Sequence, residues 1–492
     1  MISKYSRDLE LKLASLQPYP GWWLSIYAFL LLIQVSNWWY PTPDSVAYLS
    51  IARSLANHHG LLNLGYRHIA YPPGYPLLMS LAFIQQSPPF LTISIINWVT
   101  AILFMIGLYR WTHRLAADAA PLLTGLTMVN VTFWIYYRRT LTELAFMTVM
   151  IWTVNALDQA MEERSAWGRS LFTAIGGLLA VYLSMIREVG VLIVGAFAAA
   201  LCVYVYNKRL RPRDALAMIA GVTVPAVAAV IAFIVYDLST YQGPGSFLGM
   251  HLSGFLNPLM PFKELIPEGI RLQMSAVGRI IIPGMFKAYS HRWLSLDTLI
   301  YLFATAIVAI GWARFLRRQV EVLAYALPLY LALYSIWGFD ADTRYVLPML
   351  PILVVSLWYW IEPFRAIRLT IVAALMIAHL GVAIGYWRGI EVPRGAKCYA
   401  QWPHVNRLAR VIEKDPGPVA AADKIPECVR LMLSFTLDRP VADLSKDNAA
   451  AQTSKWLLAT SRDPDPTGYR EDSQFAAYKL LRNTQSSPIT AR

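Results

Sequence analysis

Trp38-Trp39-Tyr40-Pro41-Thr42-Pro43-Asp44-Ser45-Val46-Ala47-Tyr48 follows the first long apolar run of the chain, and Arg67-His68-Ile69-Ala70-Tyr71-Pro72-Pro73-Gly74-Tyr75-Pro76 closes the same stretch. An acidic residue, two short amphipathic pieces and a rigid Pro-Pro turn thus stand at the end of a segment fit to span a bilayer. A spanning helix satisfies its own backbone in lipid and requires none of these. Their content asks for a chemical explanation.

The rest of the chain supplies the setting. Of 492 residues, 57% are hydrophobic and only 15% charged, and the mean hydropathy is +0.43. Uncharged runs of about 20 residues recur, the length a helix needs to cross ~30 Å of hydrocarbon. These features exclude a soluble globular protein and define an all-α polytopic membrane protein. A first span at 21–40 is followed by others at 90–111, 119–137, 141–160, 169–187, 189–206, 214–237, 297–316, 321–338, 344–361 and 367–387, about eleven in all. The apolar segment 74–86 is too short to cross and predicts an interfacial helix on the outer face. Residues 1–20 carry Lys4, Arg7 and Lys12 among spaced leucines and read as an interfacial segment. A polar stretch and then a full-length span predict a retained first helix and not a cleaved signal.

With a cytoplasmic N-terminus, the dense Lys/Arg clusters at 110–114, 162–169, 207–213, 314–318 and 365–368 all fall inside, as the positive-inside rule requires. The outer segments are then 41–89, 138–142, 187–190, 238–296, 338–343 and the tail. Three domains follow: 1–20, a transmembrane body over 21–387, and 388–492. The tail turns polar and Pro-rich, with strand candidates at 419–422, 440–444, 456–460 and 475–481 and a helix near 426–435, which predicts a small α/β domain on the outer face. The net charge of +13 belongs to the basic loops of a membrane protein, and no basic-aromatic motif suggests nucleic acid. Cys202 lies in a span. Cys398 and Cys428 share the tail, where an oxidising compartment allows a disulfide or leaves two thiols.

Sorting the polar residues by side is informative. Asp44, Arg138, Arg139, Glu143, Arg187, Glu188, Asp340, Asp342 and Arg344 fall at the outer ends of different spans. Charges at a membrane edge are costly and tend to pair or face a cavity, so acids and arginines gathered from several helices suggest a shared outer cavity. Plainer readings stand beside this one. Arg138 and Arg139 serve equally as snorkelling anchors, Arg187 and Glu188 as a local pair, and Asp340, Asp342 and Asp44 as helix caps. Segment 238–296 holds Lys263, Arg271, Arg279, Lys287 and Arg292 against Glu264 and Glu268. A basic, amphipathic outer segment suits an anionic lipid head group, or simply covers helix ends. As chemistry, Asp44 suits a general base or positioner for an acceptor hydroxyl or amine, and arginines suit the charge that builds on a departing phosphate.

Three peptides, in order, resemble the GT-C glycosyltransferases, polytopic enzymes that use polyprenyl-phosphate-linked sugars. They are Pro43-Asp44 through Ala52 with Tyr71-Pro72-Pro73-Gly74-Tyr75-Pro76-Leu77-Leu78, then Arg138-Arg139-Thr140-Leu141-Thr142-Glu143, then Arg344-Tyr345-Val346-Leu347-Pro348-Met349-Leu350-Pro351. The likeness is to the branch of protein O-mannosyltransferases and the lipid A aminoarabinose transferase, and it covers most of 20–390. Two places depart from that pattern. Ser45 stands beside Asp44 where a second acid is usual, and Ala70-Tyr71 stand where the aminoarabinose branch has a lysine.

The resemblance implies transfer of a single sugar, with inversion, from an undecaprenyl-phosphate donor to a glycan, lipid or protein acceptor at the periplasmic face of a bacterial inner membrane. It implies no cofactor and no metal, although Asp44 and Glu143 could share a cation. Asp44 and Glu143 become the catalytic carboxylates. Arg67, His68, Arg138, Arg139 and Arg344 become ligands of the donor phosphate. Tyr48, Tyr71, Tyr75, Asp340 and Asp342 line the sugar and acceptor pocket, and Arg187, Lys263, Arg271 and Arg279 meet lipid head groups. A flippase or transporter of lipid-linked glycans remains open, although Pro and Gly breaks do not pair between halves and the charges gather on one face. So does a glycan ligase or polymerase.

Overall fold

The computed structural model describes residues 20–67, 71–84, 89–240, 262–283, 296–336, 343–364, 367–444, 454–461, 469–475 and 478–483. In chain order, the apolar helix α1 (Pro20–Leu32) leads to α2 (Pro43–Ala56), a hairpin of β1 (Leu62–Asn63) and β2 (Tyr66–Arg67), and the short α3 (Gly74–Ser80). Long helices follow: α4 (Phe90–Leu115), α5 (Ala120–Met128), α6 (Val131–Arg138), α7 (Thr142–Glu162), α8 (Ala166–Ile186), α9 (Leu192–Tyr206) and α10 (Pro212–Thr240). After α11 (Phe262–Ile281) come α12 (Leu296–Leu316), α13 (Val322–Ile336), α14 (Thr343–Val346), α15 (Leu350–Ile361) and α16 (Arg368–Tyr386).

Among the described residues eight helices are long and apolar enough to cross a membrane, or nine if the bent pair α5–α6 is one span. About eleven were expected over the whole chain. The spans expected at 21–40 and 321–338 are the shorter α1 and α13, of 13 and 15 residues. The short segment expected at 74–86 is the apolar helix Gly74–Phe83.

The chain divides into two compact units. The first comprises residues 1–36, 70–75 and 92–387. In it α7 packs along α8, α8 along α10, α9 along α13, α11 against α12 and α13, and α12 along α15. The segment 343–361 and α7 are the least apolar of the candidate spans and also the most buried, 83% of each, whereas the most apolar, Pro212–Tyr236, is 22% buried. The physical cause is that lipid is as apolar as leucine. A helix facing lipid must be greasy all round, and one enclosed by protein can carry polar residues if they find partners. Those two enclosed segments carry Glu143 and Arg344.

The second unit comprises residues 37–69, 76–91 and 388–492, so most of the first loop clusters with the tail. The tail adds α17 (Val392–Tyr399), α18 (Trp402–Lys414), β3 (Val419–Ala421), α19 (Glu427–Leu437), β4 (Val441–Asp443), β5 (Trp456–Thr460), β6 (Tyr469–Phe475) and β7 (Tyr478–Asn483). The five strands are ordered β4-β3-β5-β7-β6. β3 runs parallel to β4 and β5, with α19 as the β3–β4 crossover, and β7 runs antiparallel to β5 and β6. Strands expected at 419–422, 440–444 and 456–460 are β3, β4 and β5, while the one expected at 475–481 takes in the last residue of β6 and the first four of β7. Ala420, Leu457, Ala459 and Leu481 form the core of the sheet.

An aromatic cluster joins the loop to the tail. Trp39 stacks on Phe90 at 5.1 Å and meets Phe435 edge-on at 5.3 Å, and Trp402 meets Phe90 at 5.1 Å. Cys398 and Cys428, the expected disulfide candidates, are free thiols. A hydrogen bond between them pushes the buried Cys398 up and pulls Cys428 down.

Candidate active site

Glu143 lies in the first turn of α7 with its side chain only 2% exposed. A buried carboxylate is tolerated only with strong partners, and two guanidinium groups supply them. Arg187 donates from Nη1 to Glu143 Oε1 at 3.3 Å, and Arg344 Nε stands 3.7 Å from the same oxygen. Arg187 reaches it because it ends α8 in an extended conformation, φ −150° and ψ 134°. Aromatic rings frame both arginines. Arg187 donates to Tyr334 Oη at 3.4 Å, and Arg344 donates to Tyr345 Oη at 3.3 Å. The Tyr345 ring lies 4.9 Å from the Arg344 guanidinium and 5.4 Å from that of Arg187.

Two cations meet one carboxylate here, and Arg344 is the more open of the two, 25% exposed against 12% for Arg187. Oε2 of Glu143 is buried with no hydrogen-bond partner among the described residues. Guanidinium groups can take an anion such as phosphate in bidentate fashion.

The Pro-Pro-Gly-Tyr turn abuts the same cluster. A Cβ on Gly74 would stand 2.6 Å from the carbonyl of Met185, so only glycine permits this approach to the end of α8. Tyr182 donates to the Gly74 carbonyl at 3.1 Å. Tyr75 is fully buried, and burial first and the Glu143 carboxylate second push its phenol well above the ordinary tyrosine value. Tyr71 is half-buried.

No protein-family model and no curated protein matches the chain. Solved structures do. The chain is similar to ArnT from Cupriavidus metallidurans bound to undecaprenyl phosphate, with a TM-score of 0.61 at 11% identity over 95% of this chain and 98% of that one. It is similar to the Archaeoglobus fulgidus oligosaccharyltransferase in complex with Zn and sulfate, with a TM-score of 0.56 at 14% identity over 89% of this chain and 68% of that one. The same enzyme tethered to an acceptor peptide gives 0.56 at 13% identity over 90% and 69%. The chain has the GT-C fold.

Within the first unit of this GT-C fold, the structure brings Glu143, Arg187, Arg344 and Tyr75 together. The partners contributed by Tyr334 and Phe146, the latter 5.9 Å from Arg187, went unseen in the sequence because neither belongs to a charged peptide. Arg138 and Arg139 end α6, where Arg138 donates to Ser36 Oγ at 3.0 Å and Arg139 to Tyr386 Oη at 3.5 Å. Of the expected head-group ligands, Arg187 belongs to the Glu143 cluster. Arg279 lies over Tyr301 at 5.6 Å. Arg271 is 2% exposed and forks onto Glu268 one turn away, so its guanidinium is engaged inside the protein and not offered to a lipid. Glu268 meets Arg271 because i,i+3 residues share a helix face.

The second unit holds Asp44, Tyr48 and Arg67. Thr42, and not Asp44, caps α2. Thr42 Oγ1 accepts from Ser45 N at 3.2 Å, and Ser45 Oγ accepts from Thr42 N at 2.8 Å, with Pro43 at the first helical position. Asp44 is thereby released from capping and sits half-buried in the first turn, where the helix dipole favours an anion. Tyr48 is buried one turn on, and Arg67 is exposed on β2. His68, Asp340 and Asp342 lie outside the described residues, as does the side chain of Lys263. Among the described residues no three His, Cys, Asp or Glu gather as metal ligands.

Proposed function

We propose that this protein is a membrane glycosyltransferase that moves one sugar from a polyprenyl-phosphate donor, undecaprenyl phosphate being the carrier, to an acceptor at the periplasmic face of a bacterial inner membrane. The observation that carries the reading is the Glu143–Arg187–Arg344 cluster, two guanidinium groups on one buried carboxylate, set in a GT-C fold. The cluster suits a group that departs as an anion. The ArnT neighbour is described as bound to undecaprenyl phosphate, which supports the choice of carrier.

In the proposed reaction an acceptor hydroxyl or amine attacks the anomeric carbon. The bond from that carbon to the phosphate oxygen breaks, and polyprenyl phosphate leaves from the opposite face, so the configuration inverts. Asp44 takes the acceptor proton as general base. Arg344 and Arg187 stabilise the negative charge that grows on the departing phosphate, the kind of preorganised electrostatic help that contributes most in a site shielded from water. Glu143 was expected as a second catalytic carboxylate. With both guanidinium groups on its carboxylate it better suits orienting them. Arg67, Arg138 and Arg139 remain candidate phosphate ligands, Tyr48, Tyr71 and Tyr75 candidate pocket residues, and the acceptor's chemical class is left to the assay.

The test uses purified protein in detergent, a panel of radiolabelled undecaprenyl-phosphate sugars, and envelope extract as acceptor. Transfer by the wild type that Asp44→Ala abolishes is the expected result. Lipid binding without transfer from any donor, undisturbed by Asp44→Ala, points instead to a flippase.

A further inference from the structure

The tail's α19 ends in a left-handed residue that is not glycine. Asp438 has φ 53° and ψ 38°, with Arg439 N donating to Ser434 O at 3.2 Å and Asp438 N to Phe435 O at 3.3 Å, the paired bonds of a Schellman ending. Glycine is the ordinary occupant of that position, because a side chain there meets its own backbone. What aspartate adds is a carboxylate, and two side chains of α2 donate to it. Arg53 donates to Asp438 Oδ1 at 2.6 Å and lies 4.6 Å from the Phe435 ring. Ser50 donates to the same oxygen at 2.9 Å. Ser50 and Arg53 stand one turn apart on α2, so both face α19.

The second element at this residue is the β1–β2 hairpin. Its two-residue turn, Leu64-Gly65, has positive φ at both positions, 50° and 79°, a geometry that favours Asn-Gly and that leucine adopts reluctantly. Two contacts hold it. Leu64 N donates to Ser50 Oγ at 2.7 Å, and a Cβ on Gly65 would stand 3.0 Å from the Asp438 carbonyl oxygen. Ser50 Oγ thus links the hairpin to Asp438 by accepting from one and donating to the other.

We propose that Asp438 is a positioning residue: it ties the tail domain to α2 and to the hairpin, and through them sets the placement of Asp44 and Arg67. Asp44 lies about 9 Å along α2 from Ser50, within one rigid helix. The tail domain is then part of the catalytic apparatus without touching substrate. This rests on the transfer reading given above for its effect on catalysis, though not for the clamp itself.

The experiment compares full-length wild type with Asp438→Gly and Asp438→Asn. Glycine suits the left-handed backbone and deletes the carboxylate, so folding is retained while the clamp is lost. Asparagine tolerates the same backbone and keeps one acceptor oxygen. Two readouts are taken: amide hydrogen exchange over residues 45–67, and sugar-transfer kinetics. In Asp438→Gly, exchange rises across α2 and the hairpin, and kcat falls by about tenfold, the scale of one lost charged hydrogen bond, with the donor KM little changed. Asp438→Asn restores most of both. Unchanged exchange in Asp438→Gly overturns the clamp. Raised exchange with undiminished kcat overturns its role in positioning. A wild type that transfers no sugar rejects the function proposed above, while the exchange data still decide the clamp.

Discussion

Helix α7 carries a buried acid near each end, and the two ends are built with opposite charge balance. At one end Glu143 faces two arginines. About 22 Å along the helix, Asp158 and Glu321 share one: Arg114 donates to both carboxylates at 2.5 Å. Helix α13 takes part at both ends as well, following Glu321 directly and carrying Tyr334 near its other terminus. The Asp158 end is closed by backbone and indole. Val322 N donates to Asp158 at 3.0 Å and Trp111 Nε1 to Glu321 at 3.3 Å. The Glu143 end pairs its acid with two guanidinium groups and aromatic rings. Burial of charge therefore does not by itself mark a functional site.

The comparison breaks most severely at the Asp158 end. Arg114→Met strands two carboxylates, 1% and 5% exposed, without a counter-charge. Loss of one partner of a buried ion group costs about 3–5 kcal/mol. The expected outcome is poor recovery of folded protein and a lower thermal midpoint in detergent. A variant that unfolds at the wild-type temperature would deny the structural role given to this end.

Arg344→Ala reverses the pattern. Its guanidinium is partly exposed and Glu143 retains Arg187, so the thermal midpoint stays close to wild type. Transfer falls by about 10²–10³-fold in kcat, the usual loss when one donor to a developing anion is removed. Equal loss of stability in the two variants would erase the distinction between the ends. Gly74→Ala probes the same end from its backbone. The new methyl must displace the Met185 carbonyl beside Arg187, an overpacking worth about 1–3 kcal/mol. Its expected signature is a modest fall in thermal midpoint together with reduced transfer.

How far the two ends were legible in the sequence differs for physical reasons. Glu143 and Arg344 sit in peptides whose charges are bunched at helix ends, and a charge at the end of an apolar run is easily seen. Arg187 was visible but its partner was not, since Glu143 lies 44 residues away and only tertiary packing joins them. Asp158 and Glu321 carried no comparable signal, because the arginine they share lies 44 and 207 residues away along the chain. In the second unit, Thr-Pro-Asp-Ser offered three capping candidates. Proline at the first helical position selects the threonine before it as the cap in place of Asp44, a signal present in the sequence. The Leu64-Gly65 turn carried no comparable signal, because its support comes from Ser50 and Asp438, far apart along the chain. The spans were read well because lipid imposes composition locally.

The smallest expected effect bears on the aromatic residue at each end. Tryptophan's indole is only a donor, so Trp111 can serve the end with excess acid, where it donates to Glu321. A tyrosine hydroxyl can also accept, so Tyr345 can serve the end with excess arginine, where it accepts from Arg344. Tyr345→Phe removes that acceptor and keeps the ring that lies beside both guanidinium groups. The lost bond is worth about 0.5–1.5 kcal/mol, so transfer should fall by no more than about tenfold, with unchanged thermal stability. Tyr345→Leu removes the ring face as well and should fall further. If the two variants fall equally, the ring contributes nothing to holding the arginines. If Tyr345→Phe is indistinguishable from wild type, the complementarity drawn between Trp111 and Tyr345 is an accident of packing, and the two ends differ in charge balance alone.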